Sequence, residues 1–223
     1  MNNGLPANIL NFYLAARKNR FLSMAVIWTR YLIGFAFIPS GLKKVAGLRF
    51  TSMPVSNPVG FFFEALYQSG IYWNFLGWTQ VIAAFLLMTQ RFATLGNVIF
   101  FSLVSNVFLI TFSMQFKGTV YITALMLFAS FCLLLWDLPK LLTLIAKDNS
   151  EYRYSYHDLP TFNNIAIITG LVFFFESLML SLAMINPGYR QLIWILIGSI
   201  LLTALVSFIL MMKKKIPIGQ PTP

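Results

Sequence analysis

The sequence predicts an all-α, polytopic transmembrane helical bundle of about six helices, with a short interfacial helix in the first outer loop. Three observations carry this expectation. Of the 223 residues, 58% are hydrophobic and only 10% are charged, whereas soluble domains carry about 25% charged residues. Apolar runs near the length of a membrane span recur along the chain, and Lys and Arg gather at their ends. A chain so poor in charge cannot coat a water-facing surface, and a bilayer resolves this because the solvent is itself apolar.

A helix rising about 1.5 Å per residue needs roughly twenty apolar residues to cross the hydrocarbon core. Six segments meet that length: roughly 22–42, 72–90, 93–114, 119–137, 162–184 and 191–212. Only Gln90, Arg91 and Phe92 separate the second from the third, which predicts a tight helical hairpin; Thr79 and Gln80 interrupt the second. The expected organisation is a cytoplasmic N-terminal segment (1–21), a four-helix core (22–137), a cytoplasmic loop (138–161), a C-terminal helix pair (162–212) and a cytoplasmic tail (213–223). Met1 to Arg20 mixes polar and apolar residues with no A-x-A site, so it is not read as a cleavable signal.

The formal net charge is +10. The positive residues flank helices and form no basic stripe, so nucleic acid is not an expected partner. With the N-terminus inside, ten fall on the cytoplasmic side: Arg17, Lys18, Arg20, Arg91, Lys140, Lys147, Arg153, Lys213, Lys214 and Lys215. Five fall outside: Lys43, Lys44, Arg49, Lys117 and Arg190, of which the first three weigh against the assignment. The excess places both termini inside.

The first outer loop, 45–71, carries its own helix signal. Asn57 reads as an N-cap and Pro58 as the first helical residue. Glu64 and Gln68 share one face, Phe61, Phe62, Phe63, Leu66 and Tyr67 cover the rest, and Gly70 can end the helix. The segment is too short to span and is expected at the interface. In the cytoplasmic loop Tyr152, Tyr154 and Tyr156 alternate with polar residues, as in an extended segment with its rings at headgroup level. His157 is the sole histidine and has no second His or Cys nearby, so no metal site is read. Cys132, the sole cysteine, lies in an apolar run and reads as a small buried hydrophobe; dithiol chemistry within one chain is excluded.

Ionisable residues inside a span are costly and mark candidate sites. Arg30 and Glu176 are the two, with Gln80 and Asn106 as neutral companions. Counting from the inner helix ends, Arg30 lies about 12–13 Å deep, Gln80 about 15 Å, and Asn106 and Glu176 about 20 Å. Since an extended Arg side chain can bridge such gaps, the four are expected to meet in one mid-bilayer polar cluster. Such a cluster serves either function or helix locking. On helix 1, Arg30, Gly34, Phe37 and Gly41 share a face on which small residues admit a neighbouring helix, and Pro39 predicts a kink. Ser177 with Ser181, and Ser199 with Thr203 and Ser207, form small-residue rows of ordinary helix packing. No P-loop, dinucleotide fingerprint, H-E-x-x-H or nucleophile elbow occurs, so catalytic residues stay unknown.

The segment from Arg30 to Lys44 resembles the first helix of the DoxX-like family, which opens R-x-x-x-G-x-x-F followed by G-x-x-K. Arg30, Gly34, Phe37, Gly41 and Lys44 occupy those positions. Thr79-Gln80, Leu86-Leu87, Arg91 and Leu95-Gly96 resemble its second helix and turn, although many members carry Glu near Gln80. The resemblance covers roughly Phe21 to Trp136 and leaves the last two helices outside. It implies a four-helix membrane core in a bacterial inner membrane. Relatives are linked to thiosulfate–quinone oxidoreduction, to thiol-stress complexes and, in eukaryotes, to cargo or receptor assembly.

The first function so implied is a membrane subunit of a quinone- or thiol-linked redox complex. The second is a non-enzymatic scaffold or assembly factor, and the third, resting only on Arg30 and Glu176, is a small-solute transporter. Quinone is the one cofactor the resemblance raises; no cofactor is read from the residues. The expected partners are the lipid bilayer and a protein partner or a second copy of the chain.

Overall fold

The computed structural model describes residues 12–13, 15–17, 19–145 and 164–213, which form helices joined by turns and loops, with no strand among them. In chain order the helices are α1 (Arg20–Val45), α2 (Pro58–Gln68), α3 (Ile71–Met88), α4 (Ala93–Ser113), α5 (Thr119–Trp136), α6 (Leu138–Ile145), α7 (Asn164–Ile185) and α8 (Arg190–Lys213). Six of them, all but α2 and α6, are long and apolar enough to cross a membrane. The chain is an integral membrane protein with an all-α polytopic fold.

The helix ends follow local chemistry. Asn19 caps α1 by accepting from the Phe21 and Leu22 amides. At α2 the Asn57 side chain accepts from the Val59 amide at 2.9 Å, with Pro58 as the first residue; proline suits that position because its missing N–H would have no helical partner. The α3–α4 turn closes with Gln90 at a positive φ of 61°, unusual for a residue with a side chain. Helix α1 continues through Pro39 without a break in its assignment. Part of the expected cytoplasmic loop is instead α6, whose first amides, Lys140 and Leu141, bond the Asp137 carbonyl. Pro139 in its first turn fits such a start. Tyr152, Tyr154, Tyr156 and His157 lie outside the described residues.

Helix α1 is central. It packs on α3 and α7 and touches α5, while α3 also packs on α4 and α7. The backbones of α1 and α3 meet at two glycines: a Cβ on Gly41 would stand 2.9 Å from the Gly77 carbonyl oxygen, and one on Gly77 would stand 2.8 Å from that of Gly41. Close approach of this kind maximises dispersion contact where no hydrophobic force separates helix from lipid. Helix α7 joins the same core, since the Tyr31 hydroxyl donates to the Ala166 carbonyl at 2.5 Å. Helix α8 leans mainly on α7, and only 11% of its span is buried, against 44% for α1, α3 and α7. Cys132 is exposed on α5 rather than buried; α5 turns Ser130 and Leu133 inward and leaves Cys132 on the outer side.

Candidate functional site

One face of α1 carries two of its charged residues, Arg30 and Lys44, into the core. Arg30, Gly34, Phe37, Gly41 and Lys44 are all buried, at spacings that return to one side of an α-helix. Arg30 and Lys44 sit at opposite ends of this stripe. Between them Phe37 stacks on Phe100 of α4, ring centroids 4.0 Å apart, so the two polar sites are separated by apolar packing.

At the first end, Arg30 is fully buried and donates through Nη2 to Asp137 Oδ2 at 2.7 Å and through Nη1 to Gln90 Oε1 at 3.0 Å. Asp137, 1% exposed, stands at the junction of α5 and α6. The Thr94 hydroxyl also donates to its Oδ2 at 3.0 Å. On its other oxygen, Oδ1, Lys140 approaches to 3.7 Å and Arg17 to 4.0 Å. Arg17 bonds the Trp136 carbonyl as well and lies over the Trp136 ring. Gln90 donates in turn to the carbonyls of Leu87 and Met88, the last turn of α3. Its left-handed backbone turns that short loop inward and presents the amide oxygen to Arg30. One carboxylate thus ties the segment before α1, α1 itself, the α3–α4 turn, α4 and α6 at a single point. Burial pulls the Lys140 ammonium below its ordinary range, while Asp137 opposes the shift.

At the other end, Lys44 donates to the Ser40 carbonyl at 3.2 Å, to Ser40 Oγ at 2.8 Å and to Gln80 Oε1 at 3.0 Å. Those are the three bonds an ammonium can make. The Phe50 and Trp73 rings each lie 5.0 Å from its nitrogen, within cation–π range. Trp73 also donates to the Leu48 carbonyl, which holds the start of the 46–57 segment over the site. Further out, Arg49 and Glu64 form a bidentate pair at 2.7 and 2.9 Å, and Gln68 adds a bond at 2.8 Å. These bonds, the one from Arg49 foremost, hold the Glu64 carboxyl at about 2.

The four residues expected to meet do not converge. Arg30 takes Asp137 and Gln90, Gln80 takes Lys44, and Glu176 takes the Thr203 hydroxyl of α8 at 3.0 Å. Asn106 faces outward and bonds the Ser102 carbonyl of its own helix. The depth estimate placed each Cα and then sent Arg30 towards the bilayer centre. Side chains on a helix tilt towards its N-terminus, and a long Arg reaches for the nearer interface. Both effects carry Arg30 towards Asp137.

The residues missed are Asp137 and Gln90. Their signal lay in the carboxylate inventory: Glu64 belongs to the first loop and Glu176 sits higher, so Asp137 is the acid at the end of a span on the side towards which Arg30 leans. Asn97 and Ser130, which bond reciprocally between α4 and α5, and Thr111 with Thr123, are further buried polar ties.

Among the described residues no group of three His, Cys, Asp or Glu side chains could hold a metal ion. A quinone presents two carbonyl acceptors and needs free donors. In the four-helix core the buried cations are committed, Arg30 to Asp137 and Gln90, Lys44 to Ser40 and Gln80. Neither of these two cations is left over to donate to a quinone carbonyl. Comparison with models of protein families, with characterised proteins and with solved structures finds no match.

Proposed function

We propose that this chain is a DoxX-like membrane subunit of a redox complex, serving as the intramembrane anchor for a partner that holds the electron carrier. The observation that carries the reading is the stripe on α1. The five residues on which the resemblance rests, Arg30, Gly34, Phe37, Gly41 and Lys44, are all buried and all make contacts inside the four-helix core. They behave as one structural unit, as family-defining residues of a shared core should. Thiol- or quinone-linked chemistry then belongs to the complex, because the core's two buried cations, Arg30 and Lys44, are engaged by core partners.

The same engagement favours a second reading, a scaffold or assembly factor without redox chemistry. A transporter draws less support, since apolar packing of Phe37 on Phe100 separates the two polar ends. The Lys and Arg excess supports an orientation with the Asp137 end of the bundle and both termini in the cytoplasm, and the DoxX-like resemblance supports a bacterial inner membrane. Purification in mild detergent, with absorption spectra and mass spectrometry of co-purifying species, tests the reading. A stoichiometric partner bearing a flavin, haem, iron–sulfur centre or reactive dithiol supports it. A stoichiometric partner without any redox group favours the scaffold. Labelling of a cysteine introduced at Ser150 from the outside overturns the topology.

A further inference from the structure

Helix α4 carries two asparagines, Asn97 and Asn106, two and a half turns apart and therefore on opposite faces. Asn97 points into the bundle and has no exposed surface. Both ends of its amide are bonded: Nδ2 donates to the Ser130 carbonyl at 3.0 Å, and Oδ1 accepts from the Ser130 hydroxyl at 2.7 Å. Asn106 points the other way and is exposed. Its Nδ2 donates one hydrogen to the Ser102 carbonyl at 2.8 Å. The second amide hydrogen and Oδ1 make no hydrogen bond among the described residues.

The outward face of α4 looks into lipid. The helix packs on α3 and α5, and its buried residues, Asn97, Phe100 and Val104 among them, lie on the side towards them. On the opposite side Leu95, Ser102, Asn106, Leu109 and Ser113 are all exposed. Their spacings of seven, four, three and four keep them in one seam along the helix. Asn106 stands three residues past the middle of the span Ala93–Ser113, about 4–5 Å from its centre. Lipid tails offer an amide no hydrogen bond, and no bulk water reaches that depth. In a membrane an asparagine so placed ties one helix to another.

We propose that this face of α4 is the contact of a homodimer, in which Asn106 pairs with the same residue of a second copy of the chain. Copies inserted in one orientation carry Asn106 at the same depth. A two-fold axis along the membrane normal then sets the two amides face to face, each Nδ2 donating to the other's Oδ1. The amide is its own complement, so one pairing uses both groups that the chain leaves over. A carbonyl or an ammonium from another molecule would serve only one of them. The seam carries no charge, so two copies meet no like charge across it. Ser102, one turn from Asn106, is small enough for close approach, and Leu95 and Leu109 lie seven residues to either side of it. Helix α8 offers no such group at mid-span, where its exposed residues Leu201, Leu202 and Leu205 are apolar. The contact rests on α4 alone and does not depend on the redox reading.

The test uses the full chain with Cys132→Ala, reconstituted at high dilution in phosphatidylcholine vesicles. Ser102→Cys probes the seam, and Leu201→Cys, at mid-span of α8, is the matched control. Oxidative cross-linking is expected to join Ser102→Cys into dimers severalfold faster than Leu201→Cys. Adding Asn106→Leu should slow the Ser102→Cys reaction about tenfold, as loss of an interhelical amide pair implies. Asn106→Gln, which keeps both donor and acceptor, should recover most of that rate. Single-molecule subunit counting on the cysteine-free chain gives a second readout that needs no introduced thiol: dimers are expected, and Asn106→Leu should shift them to monomers at the same dilution. Equal cross-linking at the two positions, a dimer unmoved by Asn106→Leu in folded protein, or single subunits at every dilution overturns the proposal. So does cross-linking of Ser102→Cys in native membranes to a different protein in place of a second copy.

Discussion

Arg30 and Asp137, 107 positions apart in the chain, meet through Nη2 and Oδ2 at 2.7 Å where α1, the α3–α4 turn and the α5–α6 junction come together. Removing one partner of a buried pair costs about 3–5 kcal/mol, because the other charge stays buried. The two ends are not equivalent. Asp137→Leu removes the carboxylate that Arg17 and Lys140 also face, whereas Arg30→Met leaves Asp137 with both of them. Thermal unfolding in detergent is therefore expected to rank Asp137→Leu below Arg30→Met. The double variant should recover part of the loss, with a coupling above 1 kcal/mol. The pair Arg30→Met with Glu176→Leu should be additive. A strong coupling between Arg30 and Glu176 would show that the network has been assigned to the wrong acid.

The spans and the interfacial helix were legible because they depend on local signals. Apolar length located α1, α3, α4, α5, α7 and α8, and Asn57-Pro58 located the start of α2. The polar partners were not, because pairing inside a bundle depends on where a side chain points and which helices are neighbours. Gln80 and Arg30 have similar depth, yet Gln80 turns to Lys44 at the far end and Arg30 to Asp137 at the near one. Glu176 was rightly singled out as an intramembrane acid, but α7 turns it towards α8, and nothing in its spacing names Thr203. Gln90 was read as a turn residue, which it is; its second role follows from a positive φ that sequence does not announce.

Gly170 and Gly198 make a contrasting pair. A Cβ on Gly170 would lie 1.6 Å from the Met88 carbonyl oxygen, a backbone atom that cannot swing aside, whereas one on Gly198 would meet nothing within 4 Å. Gly170→Ala must push α7 off the end of α3, and overpacking of this kind costs about 1–3 kcal/mol or more. Gly198→Ala should be neutral or stabilising by up to about 1 kcal/mol, through helix propensity alone. Melting temperatures of the two variants decide it; equal losses would mean that α7 does not press on Met88.

The Arg49–Glu64 pair predicts an acid-sensitive outer loop. The Glu64 carboxyl titrates at about 2 when folded, against an ordinary value of 4.5. A lowered folded value means that the pair's contribution is complete above 4.5 and is lost as pH falls from there towards 2. Hydrogen exchange of the α2 amides should therefore speed up between pH 5 and about pH 3, beyond the intrinsic pH dependence of exchange. Glu64→Gln should show the faster exchange already at neutral pH and little further change. Protection in the parent chain that stays constant down to pH 3 would contradict the assignment.

Cys132 stands on the exposed side of α5, four residues before Trp136. No neighbour depends on it for a hydrogen bond among the described residues. Cys132→Ala is expected to shift stability by no more than about 0.5 kcal/mol, the usual range for an outward-facing position. In nanodiscs a lipid-soluble maleimide should modify it faster than a charged one of similar size. A faster reaction with the charged reagent would place that face of α5 in water.

Gln80→Glu is the substitution expected to strengthen the bundle. Lys44 is 7% exposed, with Gln80 Oε1 as one of its three acceptors at 3.0 Å. A carboxylate in place of the amide adds its own desolvation and gains a charge pair with Lys44. A hydrogen bond with both partners charged is roughly twice as strong as a neutral one, and the Phe50 and Trp73 rings keep water from screening it. The gain should exceed the added cost by about 1 kcal/mol, against a loss of about 1–3 kcal/mol for Gln80→Leu, which strips the ammonium of an acceptor. Lys44→Met combined with Gln80→Leu should lie above Gln80→Leu alone, since it strands no charge. Unfolding of the three variants in one detergent orders them. If Gln80→Glu melts below the parent chain, the carboxylate's desolvation outweighs the pairing, and the amide is then the better partner for a cation that Ser40 already satisfies in part.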